Sequence, residues 1–174
     1  MIGTGYSLAR VALLGAWLGA MAVFGAAVVP SAFEHLPTQL AAGVLADGFA
    51  ALDHAGVLVA ALCVGLGLAG ARGPRGARDR WRIQLPALGG VAHLLSAILV
   101  TPRLHALRLA AGGTINQLAP GDPELAAFAR LHATSRALFF AAAACAAAAC
   151  VWDVAALSRA RPPGASRDGE RRDF

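Results

Sequence analysis

Lysine is missing altogether from this 174-residue chain, so all fifteen of its basic side chains are arginine. Charge of either sign is scarce. It makes up 14% of the residues, against about a quarter in a soluble domain, while 57% are hydrophobic. The length allows one compact four-helix unit and leaves no room for a separate catalytic domain. Cysteine is limited to Cys63, Cys145 and Cys150, each inside an apolar stretch and none in a CxxC pair. That excludes a disulfide framework and reads as three small buried side chains. No phosphate-cradling glycine loop, nucleophile elbow or HExxH motif is present. Ser135 follows His132 at a helical spacing of three, which suits a hydrogen bond but lacks the third member of a triad. No enzyme activity is expected.

What is present is four uncharged apolar stretches, Val11–Ala32, Ala55–Ala71, Ile83–Thr101 and Ala137–Trp152. At about 1.5 Å of rise per residue, ~20 helical residues cross the ~30 Å hydrocarbon core of a bilayer. Only helices and closed barrels satisfy every backbone N–H and C=O in lipid, and these Ala/Leu/Val/Gly runs show no strand alternation. The fold class is therefore all-α, a bundle of four transmembrane helices with extended external ends. Arg10 followed by an apolar run resembles a secretory signal, but the run exceeds the roughly 7–15 residues of a signal core. It is expected to be an uncleaved first span.

Orientation follows from arginine. Arg72, Arg75, Arg78, Arg80 and Arg82 crowd the connection between the second and third stretches, and Arg159, Arg161, Arg167, Arg171 and Arg172 fill the tail. The opposite connections are much less basic, so both termini are expected in the cytoplasm of a cell whose inner membrane holds the protein. The basic charge is thus assigned to topology and lipid headgroups and not to nucleic acid. Residues 1–160 are read as the membrane domain and 161–174, rich in Pro, Gly and mixed charge, as a disordered tail. On the external side, Pro37 and the apolar spacing of Thr38–Asp53 suit a helix at the interface or an outward extension of the second span. Asp122-Pro123-Glu124 is a helix start with an N-cap, a first-turn proline and an acid at the positive dipole end. Gly15 with Gly19, Gly65 with Ala69, and the Gly89-Gly90 pair provide small residues where helices approach closely, within the chain, in self-association or with a membrane partner.

Trp17-Leu18-Gly19, Pro30-Ser31-Ala32-Phe33, Phe49, Thr101-Pro102 with Leu107-Arg108, and Phe128 through Leu131-His132 with Ser135 follow one another along the chain. In order and spacing they resemble the bacterial branch of the TMEM205-like family. That resemblance covers roughly residues 8–157. It implies a four-helix membrane domain and assigns no reaction.

Ionisable groups within spans are costly and mark partners or function. Asp53 and Arg136 sit at comparable depth near the outer ends of spans two and four, and are expected to form an intramembrane polar pair. Asp153, near the inner end of span four, is expected to meet a cytoplasmic arginine or headgroup water. His54, His93 and His132 are the candidate ligand or structural histidines, with His54 and His132 matched in depth and expected to face the bundle interior. Imidazoles from facing helices can hold haem b, copper or zinc, yet no His-x-x-x-His pair, Met-rich tract or Glu-x-x-His motif accompanies them. The leading reading is a non-catalytic membrane protein for small-solute handling, or an accessory subunit, without a cofactor. The alternative is a membrane haem or metal protein for electron transfer or metal movement.

Overall fold

The structure is a computed structural model that describes residues 2–70, 77–112, 115 and 118–159. The expectation of a disordered tail at 161–174 lies outside these residues, as do Arg72 and Arg75 of the arginine-rich connection. Among the described residues, six α-helices form four rods: α1 (Ile2–Val23), α2 (Val29–His35), α3 (Thr38–Gly70), α4 (Ala77–Leu95), α5 (Thr101–Ala110) and α6 (Pro123–Arg159). α1 and α2 are joined end to end by a π-helical turn, Phe24–Val28, and α4 and α5 by another, Ser96–Val100. No strand occurs among the described residues.

Local chemistry explains where the rods begin and break. Leu36, held extended before Pro37, separates α2 from α3, as the steric demand of a proline on its predecessor requires. The extension of span two is continuous, for α3 runs unbroken from Thr38. At α6 the backbone N–H of Glu124 donates to Asp122 Oδ1 at 2.8 Å, the N-cap the sequence predicts. Each π turn ends two residues before a proline, Pro30 or Pro102. A proline has no N–H for the carbonyl four residues back and its ring clashes with that carbonyl. The wider turn relieves both problems, with Val29 N–H donating to Phe24 O and Thr101 N–H to Ser96 O.

The rods pack as an antiparallel ring in chain order: α1 on α3, α3 on α4, α4 on α6, and α6 back on α1. The core is built mainly from small side chains. Cys63, Ala92, Ala142, Ala146 and Ala149 pack with Leu14, Trp17 and Met21. Gly89 and Gly90 admit close neighbours, since a Cβ on Gly90 would lie 2.7 Å from Ala60 Cβ. Gly15, Gly19 and Gly65 meet nothing within 4 Å, so their spacing serves no contact inside this bundle. Large apolar side chains such as Leu58, Ile98 and Val151 point outward, the reverse of a soluble fold and the composition a lipid-facing surface requires. All four rods, Gly5–His35, Thr38–Gly70, Arg80–Ala110 and Pro123–Arg159, are long and apolar enough to cross a bilayer. The chain is a multi-pass membrane protein. At 33 residues, α3 reaches about 50 Å, so its ends extend beyond the hydrocarbon.

Candidate functional site

Polar groups inside the bundle occur at three levels. At the end where α1 and α4 begin, Arg10 and Asp153 are both fully buried. Arg10 Nε donates to Asp153 Oδ2 at 2.8 Å, and Arg82 Nε donates to Asp153 Oδ1 at 2.9 Å. The remaining donors are used as well. Arg10 Nη1 donates to Cys63 O at 2.5 Å, Arg10 Nη2 to Arg82 O at 2.6 Å, and Arg82 Nη2 to Ser7 Oγ at 2.6 Å. All four rods are thereby tied by one aspartate and two guanidinium groups.

The two backbone acceptors are exposed for definite reasons. Arg82 O would ordinarily accept from the residue four positions on, which is Pro86 and has no N–H. Arg10 takes the vacated acceptor. Cys63 O is reached across Gly67, where a Cβ would stand 2.5 Å from Arg10 Nη1. The proline and the glycine are thus part of the arginine's binding site.

At mid-depth His93 Nδ1 donates to Asp53 Oδ1 at 3.0 Å, and both residues are buried. The imidazole meets Trp17 edge to face, with centroids 5.3 Å apart. It fits because Gly56 has no side chain, for a Cβ there would lie 2.3 Å from His93 Cδ2. His93 Nε2 is buried with no hydrogen-bond partner among the described residues.

The third level is a cavity of about 590 Å³ at the opposite end from Arg10 and Arg82, with walls from all four rods. Aromatic rings run along it edge to face, Phe49 to Phe139 at 5.9 Å and Phe139 to Phe140 at 5.8 Å, and Phe24, outside the lining, packs on Phe49 at 4.9 Å. Both proline breaks border it, through Gly25 and Val29 on one side and Thr101 and Pro102 on the other. Its ionisable lining is Arg108, Arg136, His105 and His132 against the single acid Asp47. Arg108 Nη1 donates to Ala42 O at 3.2 Å, and its guanidinium lies 5.5 Å from the Phe128 ring centroid. His132 stacks on the same ring, 6.0 Å away and within 4° of parallel.

These positions correct two expectations from sequence. Asp53 pairs with His93, while Arg136 is exposed on the cavity wall and has no hydrogen bond or ion pair among the described residues. Equal depth does not bring two groups together, because a helix also fixes the direction in which each side chain leaves it. Asp53 shares the buried stripe of α3 with Gly56, Ala60 and Cys63. The next residue, His54, is rotated about 100° by the 3.6-residue turn. It faces outward, and its Nδ1–H donates to Ala50 O at 2.7 Å. His132 is also exposed and lines the cavity, so His54 and His132 do not share an interior site. Among the described residues no three His, Cys, Asp or Glu side chains are grouped so as to hold a metal ion. Asp153 does meet arginine, but the fully buried partner is Arg10, which sequence reasoning treated as a flank. The signals for it were Gly67, and Pro86 four residues after Arg82.

Residues 12–112, more than half of the chain, match a domain of unknown function, DUF4149. The chain belongs to the DUF4149 family. The DUF4149 match includes Trp17, Asp53, Gly56, Arg82 and His93, together with both π turns and the cavity walls contributed by α2, α3 and α5. Helix α6, which carries Asp153, His132 and Arg136, lies beyond it. No curated protein and no solved structure matches the chain.

Proposed function

We propose that this DUF4149 protein is a non-catalytic inner-membrane protein, with both termini cytoplasmic, that holds a small solute in the cavity at its external end. The cavity itself carries this reading. At about 590 Å³ it falls within the 300–1,000 Å³ of small-molecule sites, and like them it combines mostly apolar walls with a few convergent polar groups. Its position between two π turns fits as well, since such turns recur at functional sites. The arginine-bearing end, by contrast, is tied shut across all four rods. The orientation rests on the arginine excess around residues 72–82 and after Arg159. The finer family assignment, to the bacterial branch of the TMEM205-like proteins, is supported by its own motifs. Of the residues that carry the resemblance, Phe33, Phe49, Pro102, Arg108, His132 and Ser135 line this cavity.

The test is retention of a small molecule. The full chain purified in mild detergent should carry a bound compound of defined mass by native mass spectrometry. Ala46→Trp, which fills the cavity from its wall, should lose it while remaining monodisperse. Equal retention by the filled variant would remove the cavity as the site.

A further inference from the structure

The cavity's side chains specify the chemistry of what it holds. We propose that the occupant is an amphiphilic anion, a hydrocarbon chain ending in a carboxylate or phosphate, with its head at Arg136, Arg108 and His132 and its tail along Phe33, Phe139 and Phe140. This rests on the reading of the cavity as a ligand site and adds the class of ligand.

Charge comes first. The lining holds two arginines against one carboxylate, Asp47. Arg10 and Arg82, at the closed end, are consumed by protein partners, since they share Asp153 and together donate to Cys63 O, Arg82 O and Ser7 Oγ. Arg136 differs. It lines the cavity without a hydrogen bond or ion pair among the described residues. A guanidinium within a membrane span and without a counter-ion is unfavourable, and such groups mark substrate sites. Its planar fork matches a carboxylate or phosphate in two-point contact. Arg108 and His132 both pack on the Phe128 ring, so polar side chains of α5 and α6 converge on one wall.

The apolar part is equally specific. Phe33 and Phe140, 50% and 62% exposed, line the cavity with the half-buried Phe139. A small inorganic anion would satisfy the arginines and leave these rings uncovered. A neutral hydrocarbon would cover the rings and leave Arg136 unpaired. An organic cation would meet two positive charges. Only a molecule with both a long apolar part and an anionic end answers the whole lining.

The experiment uses the full chain in nanodiscs of neutral phosphatidylcholine and a dansyl-labelled fatty acid, with its methyl ester as the uncharged control. The acid should bind with enhanced dansyl fluorescence and the ester at least about tenfold more weakly, the size of one charge-assisted contact. Arg136→Gln, an exposed position whose replacement disturbs no internal bond, should weaken the acid by a similar factor and leave the ester unchanged. Ala46→Trp should abolish both. If acid and ester bind alike and Arg136→Gln changes neither, the anion assignment is overturned while the cavity remains a ligand site. If neither probe binds and Ala46→Trp makes no difference, the ligand-site reading fails with it. Phosphatidylglycerol added to the nanodiscs separates two sources of the same chemistry. Displacement of the acid identifies a bilayer lipid as the occupant, and undiminished binding identifies a free fatty acid.

Discussion

Arg10 is the side chain on which the closed end of the bundle depends. It is buried from solvent and makes one ion pair and two bonds to backbone carbonyls. Removing one partner of a buried ion pair leaves the other charge uncompensated, at a cost of about 3–5 kcal/mol. Asp153→Asn, which leaves the buried Arg10 without its counter-ion, should lower stability by that amount in detergent unfolding, and Arg10→Leu by less, because Asp153 keeps Arg82 at 2.9 Å. A loss below about 1 kcal/mol for Asp153→Asn would contradict the buried pair. Arg82→Gln should cost less, because its side chain is a quarter exposed and can be hydrated. A second prediction separates the mid-depth residues. Asp53→Asn and His93→Gln should couple in a double-mutant cycle by about 0.5–3 kcal/mol, whereas Asp53→Asn and Arg136→Leu should add. Additive losses for the first pair would mean that the 3.0 Å contact between Asp53 and His93 contributes nothing. The sequence made it legible that Asp53, His93 and Asp153 would need partners. It did not identify those partners, because depth along a helix can be counted from residues but facing depends on how the rods pack. The pairing of His93 with Asp53 depends on Gly56, and the reach of Arg10 depends on Gly67 and Pro86, features meaningful only once neighbouring helices are in place.

At the scale of the element, prolines shape the chain more than apolar runs do. The four stretches locate the spans, yet the helices outrun them, because their ends carry polar residues that a helix leaving the membrane tolerates. The Asp122 cap and the Pro37 boundary were readable, since both act through local backbone chemistry. The π turns were not. Pro30 and Pro102 announce a disturbance, but the choice of a widened turn over a kink or a break is settled by packing. Pro102→Ala would restore an N–H able to bond Ile98 O and allow an ordinary α-helical continuation. It should narrow the cavity and weaken binding of the dansyl fatty acid several-fold without lowering stability. Unchanged binding in this variant would show that the π turn does not shape the site.

Across the whole molecule the polarity is longitudinal: four rods tied by arginine at one end and parted around a cavity at the other. Topology is the first consequence. A reporter fused at Gly76 or Ser166 should be active as a cytoplasmic reporter and one at Gly121 as an external reporter, and an external signal from Gly76 would reverse the orientation. The central claim, one end sealed and the other open, is tested most directly by thiol labelling in a background with Cys63, Cys145 and Cys150 replaced by alanine. Ser135→Cys on the cavity wall should react quickly with a water-soluble maleimide, and Ala149→Cys, fully buried beside the arginine tie, should react only after Asp153→Asn breaks it. Rapid labelling of Ala149→Cys with the tie intact, or protection of Ser135→Cys in the unliganded protein, would contradict the account.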